Sequence, residues 1–186
     1  LWLHGAGNRG SDALSIRGAG GPPSRIRNND PLLDDFIVLS PQCKSGEWWS
    51  SNAAQNNIDA IVDEHLARFR IDPDRIIITG QSMGGQGTNT AIVRNPNKYA
   101  AAVPICGWAE NNQSGSVAHM PIWIFHGDQD GTVPYQAPVD WHNALIAAGA
   151  KNHDFTTIVR RPHKVCTDTL QRAQPHQCNH QKEWSA

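Results

Sequence analysis

The chain has 186 residues, 39% of them apolar, and its 16 basic and 17 acidic side chains leave a formal charge of −1. That length suits one domain, and the apolar content can offset chain entropy, which excludes intrinsic disorder. The balanced charge carries no polyanion-binding signature, so nucleic acid is not an expected partner, and no apolar run approaches the roughly 18 residues of a membrane span.

Leu1-Trp2-Leu3 opens the chain as the inside of a strand. With no polar lead-in before it, the expectation is a partial chain that lacks the first strands of its sheet. His4-Gly5-Ala6-Gly7 follows directly. Backbone N–H groups in such a loop can face a developing oxyanion, with Ala6 the leading donor and Gly7 the reserve, while His4 braces the loop. Gly18 to Pro23 reads as a surface loop, and Phe36 to Leu39 as a second strand. Trp48 and Trp49 follow that strand on the side where ligands bind in α/β sheets.

Ile58, Ile61, Val62, His65, Leu66 and Phe69 share one face of a helix predicted over about 57–70, stopped by Asp72-Pro73-Asp74. Ile76 to Thr79 is then an apolar strand that runs into Gly80-Gln81-Ser82-Met83-Gly84-Gly85. This is G-x-S-x-G at a strand-to-helix junction. A serine on a sharp turn exposes its hydroxyl only where residues two away lack side chains, which makes Ser82 the candidate nucleophile. Gly85 and Gly87 would let the next helix, 83–94, lie close on the sheet. The N–H of Met83 becomes the second oxyanion donor.

Ala101 to Ile105 and Pro121 to Phe125 are further buried strands. Trp108 follows the first; with Trp48, Trp49 and Gln81 it is a candidate substrate-binding residue. His126-Gly127-Asp128-Gln129-Asp130 follows the second. Asp130, further into the loop, is favoured over Asp128 as the acid that orients a histidine. Trp141, Ala144, Leu145 and Ala148 mark a third helix closed at Gly149, and Phe155 to Val159 is the last strand. Strands alternating with helices imply an α/β fold with a mostly parallel sheet and helices on both faces.

Nine histidines compete to be the base. The chain order nucleophile, acid, base leaves His142, His153, His163, His176 and His180. His142 falls inside the third helix. His153 precedes the last strand, some 17 Å from the carboxyl edge at about 3.3 Å per residue. His163, just beyond that strand, is the expected base, with His176 next. A zinc cluster from His163, Cys166, His176, Cys178 and His180 is the rival use of this region, but its spacing matches no structural-zinc pattern and no metal is expected. Four scattered cysteines are too few for a disulfide scaffold.

With these residues in view, the chain resembles the α/β-hydrolases. More narrowly, it is similar to carboxylesterases and predicted peptidases related to polyhydroxybutyrate depolymerases and to the prolyl-oligopeptidase catalytic domain. The stretches that carry the likeness are 1–12, Ser40-Pro41-Gln42-Cys43 with Trp48-Trp49, 80–88, 100–107 and 126–134. The resemblance implies one catalytic domain over 1–186, with Ser82 as nucleophile, Asp130 as acid and a histidine after the last strand as base. It implies a serine hydrolase of carboxylic esters that needs no cofactor and takes a small-molecule or polysaccharide-linked ester. A serine peptidase, or an inactive fragment acting as a binding module, are the alternatives. Relatives usually place Gly before the base and Trp shortly after it; here Pro162 precedes His163 and Cys166 follows. The tail over 171–186 also departs from the family's closing helix.

Overall fold

The computed structural model describes residues 1–160 together with Pro162 and His163. Its strands are β1 (Trp2–Leu3), β2 (Ile77–Gln81), β3 (Ala101–Ile105), β4 (Ile122–Gly127) and β5 (His153–Ile158). They form one sheet in the order β1-β2-β3-β4-β5, and every neighbouring pair is parallel. The helices are α1 (Gly21–Arg27), α2 (Asn52–Arg68), α3 (Met83–Arg94) and α4 (Gln136–Ala147).

Alternation along each strand sorts side chains onto two faces. Leu3, Ile78, Ala102, Ile122 and Ile124 join Ile58 and Val62 of α2, Ala91 and Ile92 of α3, and Trp141 and Leu145 of α4 in the main core. Trp2 points the other way and packs with Ile16 and Ala19. The expected architecture, a parallel sheet flanked by helices, is therefore the observed one.

Three local expectations are corrected. Phe36 to Leu39 forms no strand: Phe36 and Ile37 are 56% and 55% exposed. Alongside it β1 is only two residues long, and the tie is the Trp2 N–H donating to the Leu39 carbonyl at 2.8 Å. Gly18 to Pro23 is no surface loop: Gly20 and Gly21 are buried, and α1 starts at Gly21 with Pro22 and Pro23 in its first turn. A Cβ on Gly21 would lie 2.6 Å from the Trp2 indole nitrogen, so the segment is packed against that ring. Helix α2 starts five residues early, because Ser51 caps the Ala54 N–H at 3.2 Å and starts a polar first turn without apolar periodicity.

The register aligns the carboxyl ends of the strands. Leu3 lies opposite Gly80, Gln81 opposite Ile105, and Ile105 opposite Phe125. His4, Ser82, Cys106 and the loop from Asp128 onward leave the sheet along this one edge.

Candidate active site

Ser82 sits between β2 and α3 with φ 57° and ψ −117°, a conformation that costs a non-glycine residue about 1–3 kcal/mol. Close helix packing holds it there. A Cβ on Gly84 would fall 1.9 Å from the Leu3 carbonyl oxygen, and one on Gly85 2.5 Å from that of Ile105. Only glycines let the first turn of α3 settle between β1 and β3. Ser82 occupies the N-cap of α3, where a serine hydroxyl usually accepts from the helix's own N–H groups, yet it makes no such cap. Its hydroxyl is left for another partner.

That partner is His163, whose Nε2 lies 2.8 Å from Ser82 Oγ. On the other side of the ring, Nδ1 is 2.6 Å from Asp130 Oδ2. The carboxylate can only accept, so Nδ1 carries the proton and Nε2 is free to accept from the serine hydroxyl. Asp130 is buried, and its Oδ1 accepts the Thr132 and Val133 N–H groups at 2.8 Å each. Burial alone would push its pKa up; the bonds from His163, Val133 and Thr132 outweigh that and hold it below the usual carboxylate range. The structure thus brings Ser82, Asp130 and His163 together, with Asp130 rather than Asp128 as the carboxylate bonded to His163. His142 lies on α4, and His153 is the first residue of β5, at the edge of the sheet away from Ser82. His176, His180, Cys166 and Cys178 lie outside the described residues.

The His4–Gly7 loop abuts the serine, since a Cβ on Gly5 would lie 3.7 Å from that of Ser82. His4 is fully buried and braces it as expected. Its Nε2 accepts the Cys43 N–H at 2.9 Å, which places the ring proton on Nδ1, donating to the Gly5 carbonyl at 2.7 Å. Burial, reinforced by the nearby Arg9 charge and partly opposed by the Gly5 bond, lowers its basicity. Ala6 begins a 3₁₀ turn over Ala6–Asn8, and Met83 is the first residue of α3. The N–H of Met83 has no intrahelical acceptor at that position.

The tryptophans divide. Trp48 is 43% exposed, with the Arg9 guanidinium 5.4 Å from its ring centroid, and Arg9 Nε donates to the Ala6 carbonyl. Trp49, expected in a substrate wall, is instead buried in the core: its indole N–H donates to the His4 carbonyl at 2.9 Å. The two adjacent rings thus face opposite ways, Trp48 outward and Trp49 inward. Trp108 is half-buried beside a small cleft with Gln86 and Asn89, and Gln81 is half-buried at the end of β2. A larger groove of about 650 Å³ lies between the β1 edge and residues 35–39, and Ser82 does not line it.

Cys106, His126 and Asp130 place possible ligand atoms within 4.8 Å of one another, a grouping that the sequence reading missed because Cys106 and His126 end different strands. Cys106 is disulfide-bonded, and Asp130 already binds His163. The grouping therefore lacks a free thiolate and does not fit a metal. No helix among the described residues is long and apolar enough to cross a membrane.

The sequence model of the phospholipase/carboxylesterase family matches residues 36–180. The chain belongs to this family. It is 29% identical over 131 residues to a bifunctional acetylxylan esterase/xylanase of Neocallimastix patriciarum, covering 66% of this chain and 20% of that protein. It is 26% identical over 114 residues to acyl-protein thioesterase 1 of Mycosarcoma maydis, covering 56% and 48%. The chain thus spans a fifth of the first relative and about half of the second. Among solved structures, a thermostable esterase superposes with a TM-score of 0.84 at 30% identity, over 91% of this chain and 50% of that one. Membership of this family and the α/β-hydrolase fold are thus shown together. The narrower likeness to polyhydroxybutyrate depolymerases and peptidases finds no support in the matched family or in these relatives.

Proposed function

We propose that the chain is a serine esterase that cleaves carboxylic esters through an acyl-enzyme on Ser82. The observation that carries this reading is the unbroken run of short bonds from Ser82 Oγ through His163 to Asp130. His163 Nε2 takes the hydroxyl proton as Oγ attacks the ester carbonyl carbon. The Ala6 and Met83 N–H groups hold the oxyanion, a contribution of about 3 kcal/mol per donor. The imidazolium returns its proton to the departing alcohol, leaving the acyl group on Oγ. Water, deprotonated by the same Nε2, then releases the acid and restores the serine. Asp130 keeps Nδ1–H aimed and stabilises the transient positive charge.

The reaction as written uses only side chains, backbone N–H groups and water. The relatives' names, an acetylxylan esterase and an acyl-protein thioesterase, point to acyl groups on a larger carrier. Trp48, exposed over Arg9, offers such a carrier an aromatic surface. The test compares p-nitrophenyl acetate and butyrate with a p-nitroanilide peptide. Ester turnover with kcat/KM at least a hundredfold above the anilide supports the esterase; the reverse ratio assigns a peptidase, and no turnover of either assigns a binding module.

A further inference from the structure

His126 is the penultimate residue of β4, and its side chain is fully buried. Its Nε2 lies 3.0 Å from the Val133 carbonyl oxygen and 3.2 Å from Asp130 Oδ2. Both are pure acceptors, so Nε2 carries a proton: the Val133 carbonyl accepts it, and Asp130 Oδ2 lies beside it as a charge contact. Nδ1 is buried with no hydrogen-bond partner among the described residues, and a second proton there would find no acceptor among them. The ring is therefore neutral, protonated at Nε2. It sits edge-on to Tyr135 at 6.0 Å, whose hydroxyl bonds Thr157 of β5.

The count of donors around Asp130 gives this geometry its meaning. An ionised carboxylate offers about four lone-pair positions. Thr132 and Val133 occupy two on Oδ1, and His163 takes one on Oδ2. We propose that His126 is a positioning residue for the esterase reaction: its Nε2–H, bonded to the Val133 carbonyl and 3.2 Å from Oδ2, sets a partial positive charge against the remaining side of the Asp130 carboxylate and keeps it facing His163. The inference rests on the esterase reading for its kinetic consequence, but not for its geometry. The same ring also ties β4 to Val133 and so closes the loop that carries Asp130. The titratable groups that face His126 are Asp130 and His163, with Tyr135 and the disulfide-bonded Cys106 alongside.

Without that N–H beside it, Oδ2 pulls harder on the His163 proton, and the carboxylate can swing about its bond to Cβ. Replacing His126 by leucine, similar in volume but without N–H, is expected to lower kcat on the order of 10- to 100-fold, with KM changed less than about twofold. The acid limb of the kcat/KM profile moves to higher pH, a readout that loss of packing alone would not shift. A glutamine side chain at this position carries an amide near the former Nε2, so His126→Gln should restore kcat to within about threefold of wild type and return the acid limb.

The experiment measures both variants with p-nitrophenyl acetate from pH 5 to 9, together with ¹⁵N NMR of the wild-type imidazoles. The NMR is expected to show His126 protonated at Nε2 and not titrating between pH 5 and 8. A folded leucine variant with wild-type kcat and an unmoved acid limb overturns the proposal, as does a glutamine variant no better than leucine. If the leucine variant fails to fold, the glutamine variant decides: retained kcat upholds the role, and loss beyond thirtyfold rejects it. A wild-type His126 protonated at Nδ1, or charged at pH 7, also rejects it. Absence of any ester turnover by the wild type would reject the esterase reading instead, leaving the NMR result to judge the placement of His126.

Discussion

Ser82 and Asp130 both follow parallel strands at the same edge of the sheet, yet their surroundings are opposite. Ser82 has a strained backbone, an uncapped hydroxyl and glycines on either side, and it stays half-exposed. Asp130 sits in a loop without positive φ, buried, with three hydrogen bonds to its carboxylate and the His126 ring against it. In the proposed reaction, the strain at one site exposes a hydroxyl to substrate, and the hydrogen bonds at the other keep a carboxylate charged and away from it. A nucleophile must be reachable and poorly solvated by its own protein. An orienting acid must be neither.

The strongest way to break this contrast is at the reachable end. Ser82→Ala should reduce kcat on the order of 10⁴- to 10⁶-fold with an ester substrate, and His163→Ala by a similar factor, because the two act as one unit. Steady-state kinetics checks both, and combining them should cost little more than either alone. Next comes the buried end. Asp130→Asn puts an amide where three donors converge and favours the wrong imidazole tautomer, so kcat should fall about 10³- to 10⁴-fold with the fold intact by circular dichroism.

A smaller effect tests the backbone donors. Ala6 opens its 3₁₀ turn after Gly5 in extended conformation (φ −74°, ψ 168°), a position that accepts proline. Ala6→Pro removes one N–H and should lower kcat about 10²- to 10³-fold with KM little changed. Unchanged kcat would shift the donor to Gly7.

The smallest effect concerns stability. His4 and His126 are fully buried, and burial lowers both from the usual 6.5. Below pH 6.5 the unfolded chain binds protons at these positions that the folded chain refuses. Stability is thus fully present above pH 6.5 and declines as pH falls through and below it, by at most about 1.4 kcal/mol per pH unit for each ring until the folded form also protonates. Urea midpoints at pH 8, 6.5 and 5 should show a plateau and then a fall, and the fall should shrink in the His126→Gln variant.

The strand-turn-helix signal around Ser82 was fully legible because three constraints coincide there: an apolar strand, paired glycines and a helical period. Helix 83–94 and strand 101–105 matched to the residue for the same reason. Phe36 to Leu39 misled, since an apolar run marks a strand only where a neighbour offers a ladder, and β1 is too short to offer one. Trp49 misled in another way, because whether an aromatic lines a cleft or fills a core depends on a direction that composition does not encode. His126 went unread as a site residue: a histidine beside a glycine carries no pattern of its own, and its role exists only once the loop folds Asp130 and Val133 back onto it. The order nucleophile, acid, base narrowed the histidines to those after Asp130, but bringing His163 within 2.8 Å of Ser82 is a tertiary fact.

The most direct test is covalent. A fluorophosphonate probe followed by peptide mass spectrometry reads whether a hydroxyl has been activated, independent of which ester is the natural one. The account predicts stoichiometric labelling on the peptide that carries Ser82, abolished in Ser82→Ala and slowed at least a hundredfold in His163→Ala. A folded protein that takes up no label, or takes it up elsewhere, would contradict it.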